Sequence, residues 1–530
     1  MAHVGRARGR GSIRTLRVPR RPPKRPCPVT PFAHPLRFVP LVVALSAPWV
    51  AQAQGDALRR ESLPTSGMLG FEMLRLPQGE RMGLFGGSLL FDIGSDWGIG
   101  PAVYGAATGR RGGFFVGGVE LQRRWALGSG FSLATGLYAG GGGGAGAPVG
   151  GGLMLRPAAT LLKDLGASLQ AGLSWSSVHF PNGRISSNQL GLTLAWRSEF
   201  VHFTSPGVDT SSSSKASPGI PSDRAAGLGF DRMAASVSNY QLTGDSHRRI
   251  RLAGTRAERR SSTDGFIWGL EAAAAAQGDA AGYMELLGTA AFSTALLPAT
   301  LPSWRVGVRL GAGLAGGGAV PTGGGAIGKA SGTTEWSVAP GWTLGAEYGL
   351  LRARSPFRAR LAQVWLGVDL EPGLDGRSGA AGSLVRTEWI GAVQHHTREP
   401  RTDGTRRSLD TIGLKLNRYF GEYLYLSGQA HSAFAGSAGA YSVGLVGAGT
   451  VTSARAPLRL GAELLVGAAG GGGVQTSGGG IAQGLVWAGW SPSPKSEWRF
   501  GVGRMRPLHG APGSPIAELS WSHSFGMAGR

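Results

Sequence analysis

Apolar and polar residues alternate along most of this chain. Between Trp304 and Gly311, Trp304, Val306, Val308 and Leu310 take one side and Arg305, Gly307, Arg309 and Gly311 the other. Leu458, Leu460, Ala462 and Leu464 alternate likewise with Arg459, Gly461 and Glu463. Phe131, Leu133, Leu137 and Ala139 oppose Ser132, Ala134, Gly136 and Gly140, with Thr135 and Tyr138 out of step. A period of two puts successive side chains on opposite faces, so these stretches are strands with one apolar face and one small or polar face. No long stretch has helical period; Ala272 to Ala276 comes nearest and sits in a strand-like context. No segment reaches the roughly 18 uninterrupted apolar residues of a membrane helix.

The alternation is organised around a glycine-dense hairpin that recurs three times. The copies are Phe131 to Leu155, Trp304 to Gly328 and Leu458 to Gly484, with Gly-Gly-Gly triplets beginning at Gly150, Gly323 and Gly478. Around the first hairpin the strand-like segments are Phe71–Leu76, Met82–Ile93, Trp97–Ala107, Gly113–Trp125, Phe131–Gly140, Gly152–Leu162, Ala167–Val178 and Gln189–Phe200. The second copy runs from Met233 to Leu370 and the third from Glu388 to Phe525; the last segments, GLTLAWRSEF, AQVWLGVDL and AELSWSHSF, each hold a central Trp. Turn sequences such as Pro181-Asn182-Gly183, Thr243-Gly244-Asp245-Ser246 and Asp403-Gly404 fall between segments.

Ten-residue alternating segments divided by turns are the signature of a transmembrane β-barrel, and only helices and closed barrels satisfy every backbone group in lipid. The expected fold is all-β: one transmembrane antiparallel barrel of about 24 strands, built from three eight-stranded repeats, with three tandem eight-stranded barrels as the alternative. The expected units are 66–200, 227–370 and 384–530, joined by a Ser/Pro/Gly-rich linker at 201–226 and a Gly-rich one at 371–383. The presumed inner face is rich in Gly and Ala and poor in charge, which sits awkwardly with a wide aqueous lumen.

The first 53 residues change the reading of composition. Ten Lys or Arg lie between Arg6 and Arg37, no acid precedes residue 54, and an apolar run, Phe38 to Val50, leads into Ala51-Gln52-Ala53. That order is a secretory signal peptide, cleaved near Ala53. Its removal takes the net charge from +22 to +12 and discards Cys27, the only cysteine. The basic balance is then poor evidence for nucleic acid, and an exported chain without Cys has no disulfides. Glycine supplies 92 of 530 residues, more than twice the usual share of about 7%. In strands it permits bulges, strong curvature or close backbone approach. No Lys-Ser/Thr or helix follows the glycine blocks, so no phosphate-binding loop is expected, and no cofactor or metal is assigned.

One hairpin, WSSVHFPNGRISSNQLGLTLAW (Trp175 to Trp196), resembles the final hairpin of the PagL-type lipid A deacylases, which are eight-stranded outer-membrane barrels with a His-x-Ser-Asn motif and a downstream acid. His179 and Asn182 match that motif; Pro181 stands at the serine position, and Ser186, Ser187 and Glu199 lie nearby. The resemblance implies a lipid A-modifying hydrolase, but Pro supplies no nucleophile. His395 and His396 are adjacent, so they point to opposite faces and make a poor joint metal site. Arg398, Arg401, Arg406 and Arg407, with Arg248, Arg249 and Arg251 in the second copy, are candidates for contact with anionic surface lipid or polysaccharide. Trp175, Trp196, Trp342, Trp365, Trp389, Trp487 and Trp521 are expected in interfacial girdles. No residue is assigned a catalytic role. The expected function is an outer-membrane pore or export channel for polar solute or polysaccharide, with a lipid A-modifying hydrolase and a structural or adhesive barrel as alternatives. The expected partners are outer-membrane lipid, polysaccharide or periplasmic export proteins, and no nucleic acid.

Overall fold

Strand β1 (Arg59–Arg75) is hydrogen-bonded on one edge to β2 (Arg81–Gly94) and on the other to β8 (Ser186–Thr204). This second pairing, with Leu63 opposite Phe200 and Glu72 opposite Gly191, closes a ring. The computed structural model describes residues 59–204, 227–243, 249–261, 265–297, 300–354, 357–370, 383–452, 458–493, 495–510 and 512–529. Within them the chain forms 24 strands, numbered β1 to β24 in order. The expected signal peptide and most of both linkers lie outside the described residues.

The same closure occurs in the other two copies. Strand β9 (Arg232–Leu242) pairs with β16 (Arg358–Asp369), Tyr240 facing Leu361. Strand β17 (Ser383–Pro400) pairs with β24 (Ser514–Gly529), Gly391 facing Trp521. The expected single barrel of about 24 strands is therefore corrected: each ring closes after eight strands. Among the described residues the strand pairing between rings 1 and 3 is a single residue pair, Gly526 with Phe203. Eight tilted strands give an interior just wide enough for side chains to fill.

With an even strand count, each ring begins and ends on one rim, here the near rim. The glycine hairpins lie on the opposite, far rim, where strands five and six of each ring meet. There they join the rings to one another. The turn Gly109–Gly113 of ring 1 meets the Gly316–Gly325 hairpin of ring 2, and the Gly112 N–H donates to the Gly323 carbonyl over 2.7 Å. In ring 2, Gly282 meets Gly470 and Gly471 of ring 3. In ring 3, Gly439 meets Gly143 and Gly152 of ring 1, its N–H donating to the Gly150 carbonyl over 3.3 Å. Each ring offers its third-to-fourth-strand turn to the next ring's glycine hairpin, and the third closes on the first. This is a heterologous interface that closes after three steps, inside one chain. Gly113 (φ 93°), Gly282 (φ 89°) and Gly317 (φ 91°) occupy left-handed backbone, and a Cβ on any of them would meet backbone atoms of the neighbouring ring or turn. Of the roles open to these glycines, the contact they make is close backbone approach.

Candidate functional site

Two surfaces carry the chemistry: the lumens and the outward faces. The alternation points Leu464, Leu458 and Leu190 outward, at 77%, 71% and 74% exposure, while the polar partners of each strand turn inward. The lumens are not charge-poor, which corrects the expectation drawn from the glycine and alanine content. In ring 2, Arg309, fully buried, is held by Glu258 at 2.6 Å and Glu347 at 3.0 Å. Arg256 reaches Glu347 (2.7 Å) and Glu271 (2.9 Å), Lys329 reaches the same two acids, and Arg232 joins Glu258 to Glu335. Tyr240 and Tyr283 both donate to Glu285, at 2.7 and 3.0 Å.

Ring 3 repeats the arrangement with different residues. Lys415 bridges Glu463 (3.0 Å) and Glu518 (2.9 Å), Arg499 reaches Glu388 (2.6 Å), and Arg459 pairs with Glu497. Ring 1 is simpler: Arg156 forks onto Glu72 at 2.9 and 3.1 Å, Ser176 donates to the same carboxylate, and Tyr104 donates to Glu120 at 2.9 Å. A cavity of about 30 Å³ remains there, lined in part by Met68, Ser88, Glu120, Arg156 and Thr193. That is room for bound water, which needs roughly 10–15 Å³ of such space. Buried charges persist only when paired and hydrogen-bonded, so matched Arg/Lys and Glu let a polar lumen be solid.

The outward faces are graded by depth. Along β23 (Ser496–Pro507), the outward residues are Trp498, Phe500, Val502, Arg504 and Arg506; along β15 (Trp342–Ala353), they include Trp342, Leu344, Tyr348, Leu350 and Arg352. Both series run from the near rim to the far rim. Aromatics gather at the near rim: Trp97, Phe131, Trp268, Trp304, Trp336, Trp490 and Trp521 are all exposed there. Arginines gather at the far rim. From Trp342 to Leu350 the apolar part spans roughly 27 Å along the strand at ~3.3 Å per residue, or about 20 Å upright at a ~40° tilt.

The predicted residues are dispersed. Trp342 and Trp521 lie in the aromatic rim, whereas Trp365 (1% exposed) and Trp487 (4%) face the lumens, under Arg232 and Arg499 respectively. Trp389 packs edge-on against Phe91 and Phe200, joining rings 3 and 1. His179 and Ser186 face each other across β7 (Leu169–His179) and β8, both exposed on the outer face, while Ser187 is turned inward and accepts the Arg75 N–H at 3.0 Å. Glu199 lies 13 residues from Ser186 on the same strand, about 40 Å away. These residues form no His–Ser–acid constellation, and the PagL-type resemblance is not carried by the geometry. His395 is exposed and bonded to Asp410 (2.6 Å); His396 is fully buried beside Tyr441. Arg401 donates to the carbonyls of Gly436 (2.9 Å) and Gly472 (3.2 Å), clamping two far-rim turns. Arg407 pairs with Asp403, whose carboxyl is held below its ordinary range by hydrogen bonds from Thr405. In another far-rim turn, hydrogen bonds from Arg111 hold Glu80 low in the same way. Arg248 lies outside the described residues.

Two features escaped the sequence reading. The turn that receives each glycine hairpin has its own repeat, AATGRRGGF, AAQGDAAGY and AFAGSAGAY, whose first glycines, Gly109, Gly278 and Gly436, all take positive φ. The lumen ion pairs had no local signal, because their partners lie far apart in sequence: Arg499 and Glu388 are separated by 111 residues.

No known protein family matches the chain, and no curated protein matches it. Among solved structures, the chain is similar to OccK2 (OpdF) of Pseudomonas aeruginosa, at 11% identity over 88% of this chain and 99% of that one, with a TM-score of 0.22. A BenF-like porin from Pseudomonas fluorescens Pf-5 matches at 12% identity over 88% and 99%, TM-score 0.21. OccAB3 of Acinetobacter baumannii matches at 9% over 88% and 100%, TM-score 0.21. At such scores the backbones do not share a common superposition, and these likenesses carry no argument.

Proposed function

We propose that this chain is a bacterial outer-membrane protein whose three closed barrels form a structural platform in the lipid. One observation carries the reading: the outward face of single strands passes from aromatic to aliphatic to basic residues, as on Trp498, Phe500, Val502, Arg504 and Arg506. Soluble proteins rarely expose apolar patches beyond a few hundred Å². A belt of exposed Leu, Val and Phe around closed rings with paired-charge lumens suits hydrocarbon outside and polarity within. The signal-peptide reading of residues 1–53 is consistent with export to that membrane.

A second reading, a pore for small polar solutes, is favoured by the polar lining and residual cavity of ring 1. Passage of polysaccharide required the wide lumen that closure after eight strands removes. Planar-bilayer recording separates the two. The structural reading expects little steady conductance from purified protein. A large, stable conductance would overturn it, and swelling of liposomes in small solutes would establish the pore.

A further inference from the structure

We propose that the far-rim arginines of ring 2, and separately those of ring 3, each seat the headgroup of a lipid carrying two phosphate groups. The proposal rests on the membrane reading above and names the lipid that this rim contacts. Arg352 is the penultimate residue of β15 and Arg358 begins β16, and their Cα atoms are directly opposed across the pair. Arg360 follows on the same outward face. In ring 3, Arg504 and Arg506 occupy the same rim of the seventh strand and line a cleft of about 370 Å³ with Pro512 and Gly513. The β15–β16 and β23–β24 strand ends that carry these arginines occupy, in rings 2 and 3, the place that the β7–β8 end with His179 occupies in ring 1.

Three observations point to an anion. Like charges placed directly opposite on neighbouring strands are destabilising, and among the described residues no carboxylate pairs with Arg352, Arg358, Arg360, Arg504 or Arg506. The side chains stand on the outward face, continuous with Leu350 and Leu344 on β15 and with Val502 and Phe500 on β23. A ligand held here therefore has its charge at the rim and its apolar part on the belt below, which describes a lipid. Guanidinium groups bind phosphate oxygens bidentately, and several of them within one hairpin match two phosphates better than one.

The test uses the full exported chain in detergent, with lipid retention read by native mass spectrometry. The probes are diphosphorylated lipid A, phosphatidylglycerol and inorganic phosphate. The wild type should retain diphosphorylated lipid A in preference to phosphatidylglycerol, and millimolar inorganic phosphate should not displace it. Replacing Arg352, Arg358, Arg360, Arg504 and Arg506 with Gln should weaken retention about tenfold or more, as expected for loss of charge-assisted bonds, and Lys at the same positions should restore part of it. Equal retention by the Gln variant, equal retention of phosphatidylglycerol, or full displacement by inorganic phosphate would each overturn the proposal. The unboiled gel band of each variant reports folding separately. A folded barrel that retains no lipid A sinks this inference alone; a protein that dissolves without detergent sinks the membrane reading with it.

Discussion

Glycine does two different jobs here, and only one depends on its neighbours in space. At Gly282 the backbone is left-handed, and an added Cβ would strike Gly470 and Gly471 of the next ring. At Gly428, within a strand, an added Cβ would meet nothing within 4 Å. The contrast yields a prediction. With a protease site placed within residues 371–383, cut wild-type protein should run as one species on an unboiled gel. Ring 3 is also held to ring 1 at Gly439, so Gly282→Val should lower the temperature at which the fragments separate, because the left-handed strain of about 1–2 kcal/mol adds to a backbone collision, whereas Gly428→Val should not. If both variants behave alike, the interlocking turns do not hold the rings together. The glycines themselves were legible in the sequence, but nothing in a glycine names the backbone it admits.

At the scale of strands, alternation predicted which side chains face out and was silent on how inward ones pair. Arg309 alternates with Val308 and Leu310, so its inward direction could be read directly. Its partners Glu258 and Glu347 come from other strands of ring 2. Removing one member of a buried network leaves the others uncompensated, so Arg309→Met should destabilise ring 2 by about 3–5 kcal/mol. The readout is the temperature at which the compact unboiled band is lost. Replacing Arg309 and Glu258 together should cost less than Arg309 alone, since it removes charge in matched pairs. If the single variant melts like the wild type, the lumen network is not what stabilises the ring. The Trp residues divide for the same reason: Trp342 and Trp365 look alike in sequence, yet register puts one on the rim and the other under Arg232.

For the molecule as a whole, closure is the deciding feature. Each ring satisfies its own edge strands, so it needs no partner to complete its sheet. Residues 227–370, made alone with an export signal, should therefore fold in detergent to a heat-modifiable species with the β-sheet circular dichroism of the intact chain. Failure of this segment to show any compact band, while the full chain does, would show that ring 2 depends on its neighbours for closure. The ring contacts at the far rim are small beside the strand pairings, so the fold of each ring and its docking should separate in experiment.

The sequence by itself determined the strand period, the threefold repeat, the even number of strands in each copy and the outward direction of the apolar side chains. Those follow from local rules, in which one residue's place in the alternation sets its face. Only the tertiary structure decided that the chain closes three times. A last strand offers the same N–H and C=O row to the first strand of its own copy as to the first strand of the next, and the side-chain pattern is identical in both cases. Ring curvature and the contacts between glycine turns tell them apart, and these exist only once distant segments meet.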